Sequence, residues 1–170
     1  VPSDRNELSG LLESFVSNPQ CTYLRLSEFR DLPDATASEN TSQAFSPGGA
    51  RTLRVGGDVT LCACGIMVSV ALDAAETLSR QGIQADVLDC YSVKPLARQD
   101  IIGSARRTGC CVVAEEHSVI GGMGSAVSEL VCREYPVPVR SVAIDDVFGQ
   151  SGTVEELREN IAEAYRMMIL

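Results

Sequence analysis

The sequence predicts an α/β fold of three layers, with helices on both faces of a mostly parallel sheet of about five strands. Three observations predict it. Short apolar runs alternate with amphipathic stretches from residue 52 to the end, in the order strand, helix, strand, helix. The run 110–114, CCVVA, is apolar throughout, as a strand is when both faces of a parallel sheet are covered. Gly82 and Gly109 fall just past two of the amphipathic stretches, where a left-handed residue stops a helix.

Taken in order, Leu8, Leu11, Leu12, Phe15 and Val16 recur at helical spacing, with Ser3 or Asp4 to cap the start and Asn18-Pro19 to end it. Residues 21–26 read as a short strand. Residues 31–51 are polar, rich in Ser, Thr, Pro and Gly and without period, so they read as a linker. Runs 52–55 and 59–64 flank Gly56-Gly57-Asp58, which reads as a hairpin turn. A helix is expected over 68–80 with Val70, Ala71, Ala74 and Leu78 inward, then a strand over 85–88 and a helix over 96–107. After the strand 110–114, the glycines Gly121, Gly122 and Gly124 open a helix to about Glu134, and 137–144 is the last strand. Thr153 and Glu156 form a capping box for a final helix striped by Val154, Leu157, Ile161, Tyr165 and Met168. Residues 1–30 stand outside the alternation and read as the tail of a preceding domain; 52–170 reads as the domain that carries the alternation.

Composition narrows the function. The 170 residues carry 45% hydrophobic and 22% charged residues, the balance of a folded globular chain. A net charge of −9 repels nucleic-acid backbones and anionic membranes, and 5% aromatics without Trp are too few for a base-stacking platform. No apolar run reaches the ~20 residues that span a bilayer. The seven cysteines lack the paired C-x-x-C spacing of a zinc site and read as buried, reduced thiols of a cytoplasmic protein.

Chemistry is expected at the carboxyl ends of the strands. The richest loop there is Glu115-Glu116-His117-Ser118 followed by Gly121, Gly122 and Gly124. An acid beside the only histidine can orient it for proton transfer; the competing reading is a surface turn or subunit contact. Gly122-Met123-Gly124 half-matches a dinucleotide fingerprint, but Val127 stands at the third glycine. Gly149-Gln150-Ser151-Gly152 lacks the spacing of a nucleophile elbow. The residues supply no self-sufficient catalytic set, no P-loop and no Gly-Asp-Gly metal–diphosphate motif.

Four segments carry a family resemblance: DVTLCACGIMVSVALDAAETL (58–78), VLDCYSVKPL (87–96), VVAEEHSVIGGMGSAVSELV (112–131) and DDVFGQSGTVEEL (145–157). Together they resemble the C-terminal domain of the transketolase family, closest to the C-terminal section of split bacterial transketolases. The same domain closes deoxyxylulose-phosphate synthase and the β-subunit of 2-oxoacid dehydrogenases. VPSD (1–4) and TYLRL (22–26) resemble the end of the family's middle, pyrimidine-binding domain. The resemblance implies a thiamine-diphosphate enzyme of the pentose phosphate pathway that transfers two-carbon ketol units between sugar phosphates. Thiamine diphosphate and its Mg or Ca ion are expected between the first and middle domains, and none on this chain alone. The third domain is expected to support homodimerisation and packing against the other domains or a partner subunit. It lends no catalytic residue here, and the alternative is a standalone interaction or regulatory module. Where family members carry a phosphate-holding arginine, this chain has Glu28; Arg25 and Arg30 are the candidates to take its place.

Overall fold

The computed structural model describes residues 1–26 and 45–145. In chain order they form α1 (Arg5–Ser17), β1 (Arg51–Arg54), β2 (Val59–Ala63), α2 (Met67–Ser79), β3 (Ala85–Asp89), α3 (Arg98–Thr108), β4 (Cys111–Ser118), α4 (Met123–Glu134) and β5 (Val139–Ile144). The strands make one sheet in the order β1-β3-β2-β4-β5. β2 runs parallel to β3 and β4, and β4 parallel to β5; β1 alone is antiparallel, against β3.

Period-two alternation builds the layers. Val59, Leu61 and Ala63 of β2 face the same side as Val87 and Val112, and pack there against Met67, Val70, Ala74 and Leu78 of α2. Cys62, Leu88 and Val113 face the other side, against Ile101 of α3 and Met123, Val127 and Val131 of α4. The result is the expected three-layer sandwich. Each fully buried Leu, Ile, Met or Val contributes about 1.5–3 kcal/mol.

Local chemistry sets the ends. Asp4 caps α1, its Oδ1 accepting the Glu7 amide at 2.7 Å. Gly82 and Gly109 sit at φ 84° and 75°, the left-handed region that ends α2 and α3. α3 is tied to the sheet by a polar network beneath its last turns. Thr60 Oγ1 lies 2.6 Å from Ser104 Oγ and 2.7 Å from Thr108 Oγ1, and buried Asp86 accepts from Ser104 and Arg107. All seven cysteines are free, five of them buried. No helix of the described residues is long and apolar enough to cross a membrane.

Three expectations are corrected. Residues 21–26 are irregular rather than a strand: among the described residues no strand pairs with them. Gly56-Gly57-Asp58 is not a hairpin, because β1 and β2 are not neighbours. β2 is buried on both faces and takes the sheet centre, while the half-polar RTLR of β1 takes an edge beside β3. The Gly-Gly-Asp segment carries the chain between them, with the Asp58 amide donating to Gln84 O at 2.9 Å and Asp58 Oδ2 accepting the Gln84 amide at 2.6 Å. Finally, β4 continues through Ser118, so Glu115, Glu116 and His117 lie on a strand end, not in a loop. Glu28, Arg30, linker residues 31–44, Gly149 to Gly152 and the Thr153–Glu156 capping box with its helix lie outside the described residues.

Candidate functional site

With β2 central and β3 and β4 on either side, the open-sheet rule puts a ligand crevice at the carboxyl ends of β2 and β4. The chain's own first residues sit beside it, over the ends of β2 and β3. Val1 O accepts the Gly65 amide just after β2 at 3.2 Å, and Val1 N donates to Tyr91 O just after β3 at 2.8 Å. Pro2, Ser3 and Asp4 are buried behind it.

The glycine turn before α4 is also filled. Buried Glu115 turns its carboxylate into the helix N-terminus, where Oε2 accepts the Met123 amide at 2.6 Å and Oε1 the Gly124 amide at 2.7 Å. These are the orphan donors a helix start offers to an anion. Glycine is required for the approach: a Cβ at Gly122 would stand 2.4 Å from Glu115 Oε2, and one at Gly124 2.4 Å from Ser141 Oγ. Gly121 precedes them at φ 74°, and its amide donates to Ser125 Oγ. The turn that half-matched a dinucleotide fingerprint therefore holds an internal carboxylate.

Glu116 and His117 are exposed beyond it. His117 Nδ1 lies 2.9 Å from Ser118 O, and Glu116 engages Arg25. Arg25 Nη2 donates to Glu116 O at 2.5 Å and stands 3.7 Å from Glu116 Oε2. Of the two readings of this segment, the acid–histidine couple is not assembled, since one carboxylate caps α4 and the other faces a guanidinium. The structure does bring together two features far apart in sequence, the candidate Arg25 and the end of β4. Arg25 remains one-third exposed there.

Sequence reasoning missed the densest polar cluster. Arg51 of β1 donates through Nη2 to Ser3 Oγ (3.0 Å), Asp4 Oδ2 (3.0 Å) and Asp89 Oδ2 (2.8 Å), and its Nε lies 3.2 Å from Glu7 Oε1. Ser3 Oγ donates to Asp89 Oδ2 and the Ser3 amide to Glu7 Oε2, both at 2.6 Å. Glu7, Asp4 and Asp89 are essentially inaccessible to solvent. Phe45 closes over them, its ring 5.4 Å from the Arg51 guanidinium and edge-on to Tyr91. The signal available in the sequence was the Asp4-x-x-Glu7 spacing of a capped helix start; nothing local announces Arg51 or Asp89 as its partners. Two of the buried thiols are held in the neutral form: burial pushes Cys64 up to about 12, and a hydrogen bond to Cys90 together with burial raises Cys62.

Comparison with known proteins gives a consistent set of matches. The family model described as Transketolase, C-terminal domain, matches residues 48–163. The chain is 40% identical over 158 residues to a 6-deoxy-6-sulfo-D-fructose transketolase subunit SqwH from Clostridium sp. (strain MSTE9), covering 93% of this chain and 48% of that one. It is 38% identical over 163 residues to 1-deoxy-D-xylulose-5-phosphate synthase 1 of Geobacter sulfurreducens, covering 95% of this chain and 25% of that one. Among solved structures, a split-gene transketolase described as an inactive β4 tetramer superposes with a TM-score of 0.71 at 44% identity, over 76% of this chain and 45% of that chain. A Pichia stipitis transketolase shares the fold at a TM-score of 0.60 and 21% identity, over 99% of this chain and 24% of that chain. The chain spans about half or a quarter of the length of the curated relatives it matches.

Proposed function

The chain belongs to the transketolase family through its C-terminal domain, and from that premise we propose that it closes an enzyme moving two-carbon ketol units between sugar phosphates, serving assembly rather than the chemical step. One observation supports this reading: among the described residues, the ends of β2 and β3 are covered by residues 1–4 and the glycine turn before α4 is filled by Glu115.

The family's chemistry runs on thiamine diphosphate and a divalent metal, and the described residues do not fit that group. The phosphate-sized cradle of Gly122 to Gly124 already holds a carboxylate, and a second anion there would be repelled. Among the described residues no three His, Cys, Asp or Glu side chains gather as a metal site. We propose that the full enzyme holds this cofactor on segments outside the described residues.

Residues 1–30 are proposed as the tail of the preceding domain and 52–170 as the third domain. The apolar exposure of Val16 and Tyr23, 81% and 88%, supports a covering surface supplied by a neighbouring domain, a partner subunit or a second copy in a dimer. The relatives' names support a ketose with an anionic end group, for which Arg25 is the contact we propose. The setting proposed is the cytoplasm, in the pentose phosphate pathway or a parallel sugar-phosphate route. The match to a deoxyxylulose-phosphate synthase favours one second reading, the third domain of such a synthase; a product assay on the assembled enzyme separates the two.

Calorimetric titration of the 170-residue chain with thiamine diphosphate and Mg tests the main reading. No binding is expected at micromolar concentration, and turnover is expected only when the upstream domains are supplied. Saturable micromolar binding, or ketose turnover by the chain alone, overturns it.

A further inference from the structure

Among the described residues, the cluster around Arg51 places three carboxyl groups in a site nearly closed to water with one guanidinium among them. Fully ionised, the set carries a net charge of about −2, which a dry site does not tolerate. Two oxygens also stand without a donor: Glu7 Oε1, which meets Arg51 Nε only as an unaligned ion pair, and Asp89 Oδ1. Both defects have one remedy. A single proton held between the two carboxyls, which both meet Ser3 and Arg51, removes one charge and supplies the missing donor. We propose that Glu7 and Asp89 share one proton and form a pH-sensitive latch holding the N-terminal segment against the carboxyl edge of the sheet.

The surrounding groups set its direction. From the start of α1 come Asp4 and Glu7; from β1, Arg51; from the end of β3, Asp89 and Tyr91; from the turn after β2, Cys64; and the Val1 nitrogen lies at the same edge. Burial and the facing Asp89 raise Glu7 from an ordinary 4.5 to about 8, against the pull of Arg51, and burial also raises Asp89. The folded state therefore binds a proton that the unfolded chain releases. Stability from this group is full below about 4.5, declines as pH rises, and is lost once pH passes about 8. Losing the proton leaves two carboxylates face to face and unfastens Ser3 and Asp4 from Asp89 and Arg51. Residues 1–4 cover the ends of β2 and β3, so alkaline pH uncovers that part of the sheet edge.

Carbon-detected NMR titration of the intact 170-residue chain reads the latch directly. The Glu7 carboxyl carbon is expected to titrate near pH 8, with the Asp89 carboxyl moving in step; a Glu7 midpoint in the ordinary range near 4.5 overturns the proposal. Glu7→Gln supplies a permanent donor, so its urea midpoint is expected to fall less than the wild-type midpoint between pH 5 and 9. Equal falls overturn it. Asp89→Asn removes the like charge and is expected to lower the Glu7 midpoint by at least one pH unit. Amide exchange corrected for intrinsic rate places the opening: protection at Ser3 and Leu11 drops above pH 8 while that of β2 persists, and unchanged protection at Ser3 counts against the latch. The titration uses the unmodified chain, so it decides even where a variant fails to fold.

Discussion

At the scale of single residues, the informative groups are the buried charges. Glu115 accepts two backbone amides at a helix start, so Glu115→Ala strands two buried donors and is expected to cost on the order of 2–5 kcal/mol. Glu115→Gln keeps one acceptor oxygen and should cost less; urea unfolding of both variants at pH 7 reads the difference. An equal, near-zero effect would mean that the carboxylate does not hold α4. Arg51→Leu strips the guanidinium from three buried carboxyls, and removing one member of such a set costs about 3–5 kcal/mol. Its loss should be smaller at pH 5 than at pH 8, since protonated carboxyls need the cation less. The sequence exposes these groups unevenly. Asp4-x-x-Glu7 is legible as a helix start because capping is local. That Glu7 also faces Asp89, and that Glu115 is aimed at Met123 and Gly124 rather than at His117, depends on how separate segments meet. A glutamate eight residues ahead of a helix that opens on Gly-x-Gly was the available clue to the second.

At the scale of elements, the layers were legible and the neighbour relations were not. Periodicity tells which residues face inward, so α2, α3 and α4 and the central strands follow from it, and Gly82 and Gly109 mark helix ends by a conformation other residues resist. Pairing is a contest between distant segments. Adjacent strands joined by Gly-Gly-Asp suggest a hairpin, yet β2 buries every residue and belongs in the centre, while β1, with no fully buried residue, suits an edge. The strand-to-strand passage makes its own demand. A Cβ on Gly56 would lie 2.3 Å from the Ala85 backbone, so Gly56→Ala must push β1 away from β3. It is expected to cost about 1–3 kcal/mol in chemical unfolding and to raise amide exchange in β1 before β4. Gly57→Ala, with open space around it, is the control and should be nearly neutral. The polar tail of β4 went unread as strand for a related reason: once the core ends at Ala114, Glu115 to Ser118 carry no apolar pattern, and the ladder with β5 resumes past an irregularity, with Ser118 opposite Ile144.

At the scale of the whole molecule, burial is lopsided. The sheet is covered on both faces, but α1 buries only Glu7 and Leu11 of its thirteen residues, and the segment that follows leaves Tyr23 and Leu26 largely exposed. An amphipathic helix whose apolar stripe is partly wet is expected to gain cover from another surface. Two substitutions separate what this chain satisfies from what it lacks. Leu11→Ala removes a buried side chain and should cost about 2–5 kcal/mol, whereas Val16→Ser should lie within about 0.5 kcal/mol of wild type. The same exposed surface predicts association. Covering Val16, Tyr23 and Leu26 removes apolar area from water whether the cover is an upstream domain, another subunit or a second copy, and in a purified solution the second copy is what is available. Light scattering at high micromolar concentration is therefore expected to find dimers or larger species. Val16→Ser combined with Tyr23→Ser should shift the mass toward monomer without moving the urea midpoint. A wild-type chain that stays monomeric at those concentrations would show that this face needs a different partner from itself.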